Sequence, residues 1–206
     1  MFPFADGNLY IGTSAAEILH FVTLPSDPAN ESSEPTFILA SRLPISQSSS
    51  TDKKHGIQQI VLLPAASKAC ILSNGVVTFY TLPELTPAFE NTKVKNCQWI
   101  GGLDLNIPPS EDAPELPVVM IAVQNRIMLV RIGEEARRIR NIEFPRCLTA
   151  SRRGTIACVA DDTSYSLLDV EHQQKIHLFP ISSSSEVFET GVVEDIPQGG
   201  SLVRSS

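Results

Sequence analysis

No stretch of this 206-residue chain is apolar for long enough to cross a bilayer. The longest, around Val118–Val123, falls far short of the roughly 20 residues a spanning helix needs. The opening MFPFADGNLYIG lacks a basic segment followed by an apolar one, so no secretory signal is visible. A soluble, cytosolic protein is expected, and the sequon at Asn30-Glu31-Ser32 is expected to be fortuitous. Catalytic signatures are missing too. There is no G-x-S-x-G elbow, no H-E-x-x-H, no EF-hand loop and neither of the glycine-rich phosphate motifs. Aromatic residues are few, with one Trp and three Tyr beside nine Phe. Basic residues number 16 against 23 acidic, a formal charge of −7. Together these argue against a nucleic-acid binder. The four cysteines, Cys70, Cys97, Cys147 and Cys158, form no C-x-x-C and no Cys/His cluster of zinc spacing. They are expected to be buried reduced thiols.

What is present is a repeat. Residues 10–24 (YIGTSAAEILHFVTL), 70–82 (CILSNGVVTFYTL), 121–132 (IAVQNRIMLVRI) and 158–170 (CVADDTSYSLLDV) share one pattern. Each has a short apolar run, a polar turn and a second run, the mark of two antiparallel strands and a tight turn. Ser73-Asn74-Gly75 is the clearest turn, because Asn-Gly supplies the positive φ angles of a type I′ hairpin. Gln124-Asn125 and Asp161-Asp162 stand at equivalent places, whereas Ala15-Ala16 fits poorly and implies a longer turn. Hairpins recurring every ~40–60 residues indicate an all-β chain built as a β-propeller, one blade per repeat.

Alternation and bounding turn residues predict fourteen strands, at 8–12, 17–23, 36–42, 58–63, 68–72, 76–82, 97–103, 118–123, 126–131, 141–144, 147–150, 155–159, 164–169 and 175–179. Residues 133–140 (GEEARRIR) read as a long polar turn. Segments 26–34, 46–56 and 108–117 are rich in Pro, Ser and charge and read as inter-strand loops. The blades are expected to occupy residues 1–181, followed by a polar linker or disordered tail over 182–206. At four strands per blade the count makes roughly three and a half, an incomplete N-terminal portion of a propeller of about three to four blades.

Candidate chemistry is sparse. His20 and His177 lie in alternating strands, and His55 and His172 in polar segments, with no nucleophile arranged beside any of them. Asp161-Asp162 reads as a turn rather than a cation site, and Gly101-Gly102 as a bulge or close backbone approach. Trp99 is expected in the core. No cofactor or metal is expected. Two basic clusters, Arg137, Arg138 and Arg140, then Arg152 and Arg153, are the only candidate partner-binding rim, suited to an acidic partner or lipid headgroups.

These runs carry a family resemblance. LYIGTSAAEILHF at residues 9–21, with a strand ending in Gly-Thr before an amphipathic strand, resembles the opening of a citron homology (CNH) domain. QQIVLLPAASKACILSNGVVTFYTLPELTP at 58–87 resembles that family's second blade, ending in Leu-Pro-x-Leu. NCQWIGGLDLN with VVMIAVQNRIMLVRI is similar to the vacuolar sorting and TGF-β-receptor-associated family, in its fungal, CORVET-specific tethering form. The resemblance implies a non-enzymatic propeller in endosome-to-vacuole transport. It implies an endosomal Rab GTPase and other CORVET- or HOPS-type subunits as partners, and peripheral, indirect attachment to endosomal or vacuolar membranes. The alternative is a CNH regulatory module of a kinase or Rho exchange factor. A propeller hydrolase is a distant third, because no polar set converges on a channel.

Overall fold

The computed structural model describes residues 4–5, 7–24, 36–45, 56–89, 92–103 and 116–181. Among them seventeen strands form four sheets. Blade 1 comprises β1 (Phe4–Ala5), β2 (Asn8–Gly12), β3 (Glu17–Thr23) and β4 (Phe37–Pro44). Blade 2 comprises β5 (Ile57–Leu63), a single 3-10 turn (Pro64–Ala66), β6 (Lys68–Ser73), β7 (Val76–Thr81) and β8 (Thr86–Ala88), with the short β9 (Val94–Lys95) also pairing to β7. Blade 3 comprises β10 (Cys97–Gly101), β11 (Val118–Val123), β12 (Arg126–Ile132) and β13 (Ala136–Glu143). Blade 4 comprises β14 (Thr149–Arg153), β15 (Ile156–Ala160), β16 (Ser164–Asp169) and β17 (Gln174–Pro180). Within each sheet the strands pair antiparallel and in chain order, the blade pattern of a β-propeller.

The four repeated hairpins are the middle pairs of the blades, β2–β3, β6–β7, β11–β12 and β15–β16. Asn74 and Gly75 both take positive φ, 51° and 68°, as a type I′ turn requires. The first turn is longer, as its sequence implies. Thr13 Oγ1 accepts from the Glu17 amide at 3.1 Å, and Ala16 adopts φ 60°.

Three apolar layers hold the blades together. Tyr10 and Ile18 meet Ala69, Ile71 and Tyr80 between blades 1 and 2. Leu72, Val77 and Phe79 meet Ile100, Ile121 and Val130 between blades 2 and 3. Met120, Ile127 and Leu129 meet Ala157, Val159 and Leu168 between blades 3 and 4. Blades 2 and 3 are covered on both faces, so their central strands are apolar at nearly every position, as in VVMIAV of β11. Blades 1 and 4 are covered on one face, and β15 accordingly alternates strictly over Ile156–Val159.

Four expectations change. Residues 133–140 are not a long turn. Only Gly133–Glu135 turn, and β13 runs on from Ala136, replacing the strand expected at 141–144. The strand expected at 147–150 begins instead at Thr149 and extends through Arg153, because 144–148 carry the chain between blades 3 and 4. β1, β8 and β9 add three short strands to the fourteen expected, and the four blades fall within the three to four expected of an incomplete propeller. Cys158 is exposed, whereas Cys70, Cys97 and Cys147 are buried, all four as free thiols. The segments 26–34 and 46–55, most of 108–117 and the tail over 182–206 lie outside the described residues.

Gly12-Thr13 is where blade 1 locks onto blade 2. A Cβ on Gly12 would stand 2.6 Å from Ile57 Cβ, and one on Gly56 would stand 2.5 Å from the Thr13 carbonyl oxygen. That carbonyl accepts from the Ile57 amide at 2.9 Å. The obstacle to a side chain at Gly56 is backbone, which cannot rotate away. Gly56→Ala is expected to destabilise the protein by about 1–3 kcal/mol through overpacking, read as a lowered urea midpoint with an unchanged slope.

Candidate functional site

The predicted basic residues come to one end of blades 3 and 4, where the β12–β13, β14–β15 and β16–β17 turns lie. β14 delivers Arg152 and Arg153 to this end, and β13 starts there with Arg137 and Arg138. The structure divides these arginines into two kinds.

Arg152 and Arg140 join blades. Arg152 donates from Nε to the Gly102 carbonyl at 2.8 Å and from Nη2 to the Val118 carbonyl at 3.2 Å, both in blade 3. It also closes on its own turn through Gly154 O at 3.3 Å. Gly102 makes this approach possible. It takes φ +60°, and a Cβ there would stand 2.5 Å from Met120 Sδ, so the Gly101-Gly102 pair ends β10 close against β11. Arg140 reaches the other way, from β13 to the Val170 carbonyl of blade 4 at 2.8 Å and to the Glu171 carbonyl beside it. Both residues are half-buried, and their guanidiniums donate to backbone oxygens of the neighbouring blade.

Arg137, Arg138 and Arg153 are exposed. Arg131, absent from the sequence-based set, joins them. It stands directly opposite Arg137 across the β12–β13 pair, and both are exposed. Like charges so paired destabilise a sheet. Among the described residues no salt bridge reaches any of these four arginines. The acids at this end are Glu134 and Glu135 of the β12–β13 turn and Glu171 of the β16–β17 turn, all exposed, with Asp169 paired to His172. The end of blades 3 and 4 is therefore a basic rim with spare donors on a chain of net charge −7.

The remaining candidates are structural. His20 is buried, stacks on Tyr10 at 4.8 Å and donates from Nε2 to Asn8 Oδ1 at 2.7 Å. Burial lowers its pKa against the raising effect of Glu84, which keeps it neutral. His177 is exposed, with Nδ1 3.5 Å from the buried Ser166 hydroxyl. Burial pushes the Cys70 and Cys147 thiols up to about 12 and Cys97 to about 11, far from nucleophilic. Trp99 lies in the layer between blades 3 and 4. Among the described residues no three His, Cys, Asp or Glu side chains gather as a metal site. None of their helices is long and apolar enough to cross a membrane.

Asp161 does the work of a turn. Its Oδ1 accepts from the Thr163 amide at 2.8 Å, the Thr163 hydroxyl at 2.7 Å and the Ser164 amide at 2.7 Å. Burial raises its pKa, but these hydrogen bonds and Lys175 outweigh it, and the net shift is downward. The carboxylate thus supports the fold above the ordinary Asp range of about 3.9, and this support fades as pH falls through its lower folded value. Asp161→Asn is expected to flatten the loss of stability below about pH 4, measured by urea unfolding across pH. For the inter-blade arginine, Arg152→Met is expected to cost about 1–3 kcal/mol through lost charge-assisted hydrogen bonds. Arg153→Met is expected to stay within about 0.5 kcal/mol, and the two urea midpoints compared side by side test the division.

With the geometry in place, comparisons with known proteins agree. Solved structures of similar fold include the WD40 domain of Neurospora crassa Pan2, at 11% identity and a TM-score of 0.54, covering 84% of this chain and 47% of that one. Another is the CNH domain of AfRom2, at 12% identity and a TM-score of 0.53, covering 85% of this chain and 53% of that one. The chain therefore spans about half the length of these propeller domains, and the likeness is one of fold. No curated protein matches. The family described as VPS3 N-terminal domain matches residues 2–205, nearly the whole sequence. The resemblance carried by the Gly-Thr strand end and the Asn-Gly hairpin is borne out, and the chain belongs to the VPS3 N-terminal domain family.

Proposed function

We propose that this chain is the propeller end of a CORVET-type tethering subunit, and that it binds a GTP-loaded endosomal Rab through the exposed arginines of blades 3 and 4. The carrying observation is a basic rim that no salt bridge among the described residues reaches, in which Arg131 and Arg137 stand opposite each other at a cost that an acidic partner would offset. Membership of the VPS3 N-terminal domain family supports a vacuolar-sorting role. In this reading the protein sits peripherally on endosomal membranes, attached through its Rab and its fellow subunits, and uses no cofactor.

Arg131, Arg137, Arg138 and Arg153 are the contact residues, while Arg140 and Arg152 hold the two blades on which they stand. The test uses the full-length protein with an endosomal Rab loaded with GTP or GDP, and a Rho-class GTPase as control. Binding is expected in the GTP state alone. It is expected to weaken as salt rises and to fall at least about tenfold in an Arg137→Glu/Arg153→Glu double variant, as for charges at an interface. A Rab that binds both variant and wild type equally would overturn the rim assignment. Capture of the Rho-class control alone would favour the kinase or exchange-factor reading.

A further inference from the structure

One face of blade 3 gathers arginines where the blade reaches the rim. Val118 stands opposite Arg131, and Arg131 opposite Arg137, in a single row across β11, β12 and β13. Val118 packs on the layer between blades 3 and 4, so this row lies on the face that blade 3 turns toward blade 4. The next row on that face runs Met120, Leu129, Arg140. Arg138 stands opposite Val130 and belongs to the other face, toward blade 2. Arg140 and Arg152 are fastened to backbone carbonyls, Arg152 on Val118 itself. Arg131 and Arg137 are exposed beside them, and no salt bridge among the described residues reaches either.

Two neighbouring guanidiniums present more donors than one carboxylate can accept. A phosphate monoester, with about two negative charges and three acceptor oxygens, matches a pair of such forks. Leu116 is a second, independent observation. It is 47% exposed and lies against the β12–β13 turn, where a Cβ on Gly133 would stand 2.8 Å from Leu116 Cδ1. A large apolar side chain in water beside paired arginines suits the membrane interface, where guanidiniums meet phosphate and apolar groups enter the headgroup boundary. A free phosphate would give Leu116 nothing to bury against. Glu134, Glu135 and Glu171 are exposed at the same end. They offset its diffuse attraction for any anionic surface, so short-range contact with a concentrated charge is what remains.

We infer that Arg131 and Arg137 bind the phosphate of a phosphorylated inositol lipid, with Leu116 entering the bilayer interface beside it. The fastened pair, Arg140 and Arg152, adds fixed positive charge to the same face without moving. The rim would then touch the membrane directly as well as through a partner protein. This inference does not rest on Rab binding, and its test contains no GTPase, so either can fail without the other.

The experiment is flotation of the full-length protein with phosphatidylcholine vesicles carrying phosphatidylinositol monophosphates. Phosphatidylcholine–phosphatidylserine vesicles of matched net charge are the control. Wild type is expected to bind the phosphoinositide vesicles at least about fivefold more tightly than the control. Arg131→Gln/Arg137→Gln is expected to lose at least about tenfold, with a urea midpoint no lower than wild type, because a like-charge pair is removed. Glu134→Gln/Glu135→Gln is expected to gain about fivefold, a change that a merely structural role would not produce. Should the arginine variant fail to fold, that gain decides alone. Leu116→Ser is expected to weaken vesicle binding at least about threefold and to leave binding of the soluble inositol phosphate headgroup unchanged. Equal affinity of wild type and the arginine variant for the vesicles would overturn the proposal. So would equal binding to the two kinds of vesicle, which would reduce it to diffuse attraction. Headgroup binding with no effect of Leu116→Ser on vesicles would make the ligand a free phosphate, and preference for a phosphoserine peptide would make it a phosphorylated protein; each overturns the lipid assignment.

Discussion

A four-stranded sheet with two apolar faces cannot stand alone in water, and every other feature of this chain depends on how that constraint is met. Each inner sheet lays one face on the sheet before it and the other on the sheet after it, and each outer sheet lays one face on its neighbour. The three resulting layers, around Ile71, Ile121 and Ile127, contain nearly all the fully buried aliphatic side chains. Burial of each such side chain contributes on the order of 1.5–3 kcal/mol, far more than the surface ion pairs, of which Arg146 with Asp162 is an exposed example. Polar contacts then set how the blades are angled. The Arg152 guanidinium on Gly102 and Val118, and the Arg140 guanidinium on Val170, fasten blades 3 and 4 at one end, where the apolar layer gives way to solvent.

Much of this was legible in the sequence. A strand covered on both faces shows as a continuous apolar run, and one covered on a single face shows alternation. Both occur in the repeated hairpins, and Asn74-Gly75 fixes the register of the clearest one. β13 was not legible. Only Ile142 of its eight residues is buried, so it has no apolar period, and its strand form comes from pairing with β12 rather than from its own side chains. β1 and β9, two residues each, are shorter than one period of alternation.

The rim was legible as charge and illegible as structure. Nothing in the spelling of Arg140 or Arg152 separates them from Arg138 or Arg153. Their acceptors are main-chain carbonyls, which leave no mark on the sequence. Arg131 escaped notice for the opposite reason, since it lies in the apolar run RIMLVRI and reads as part of a core strand. The basic rim is thus composed of side chains that the sequence places and of a division of labour among them that only the packing of blade on blade reveals.

Apart from β9, which pairs with β7, the strand order of every sheet follows the chain, so each blade is a local meander whose pairing partners are close neighbours in sequence. The longer-range contacts are those between successive blades. Such an architecture suits assembly during synthesis. Blade 1 can complete its own ladder as it leaves the ribosome, and each later blade arrives to cover the apolar face that its predecessor exposes. At every stage one greasy surface is waiting, and the next segment of nascent chain is the nearest thing available to cover it.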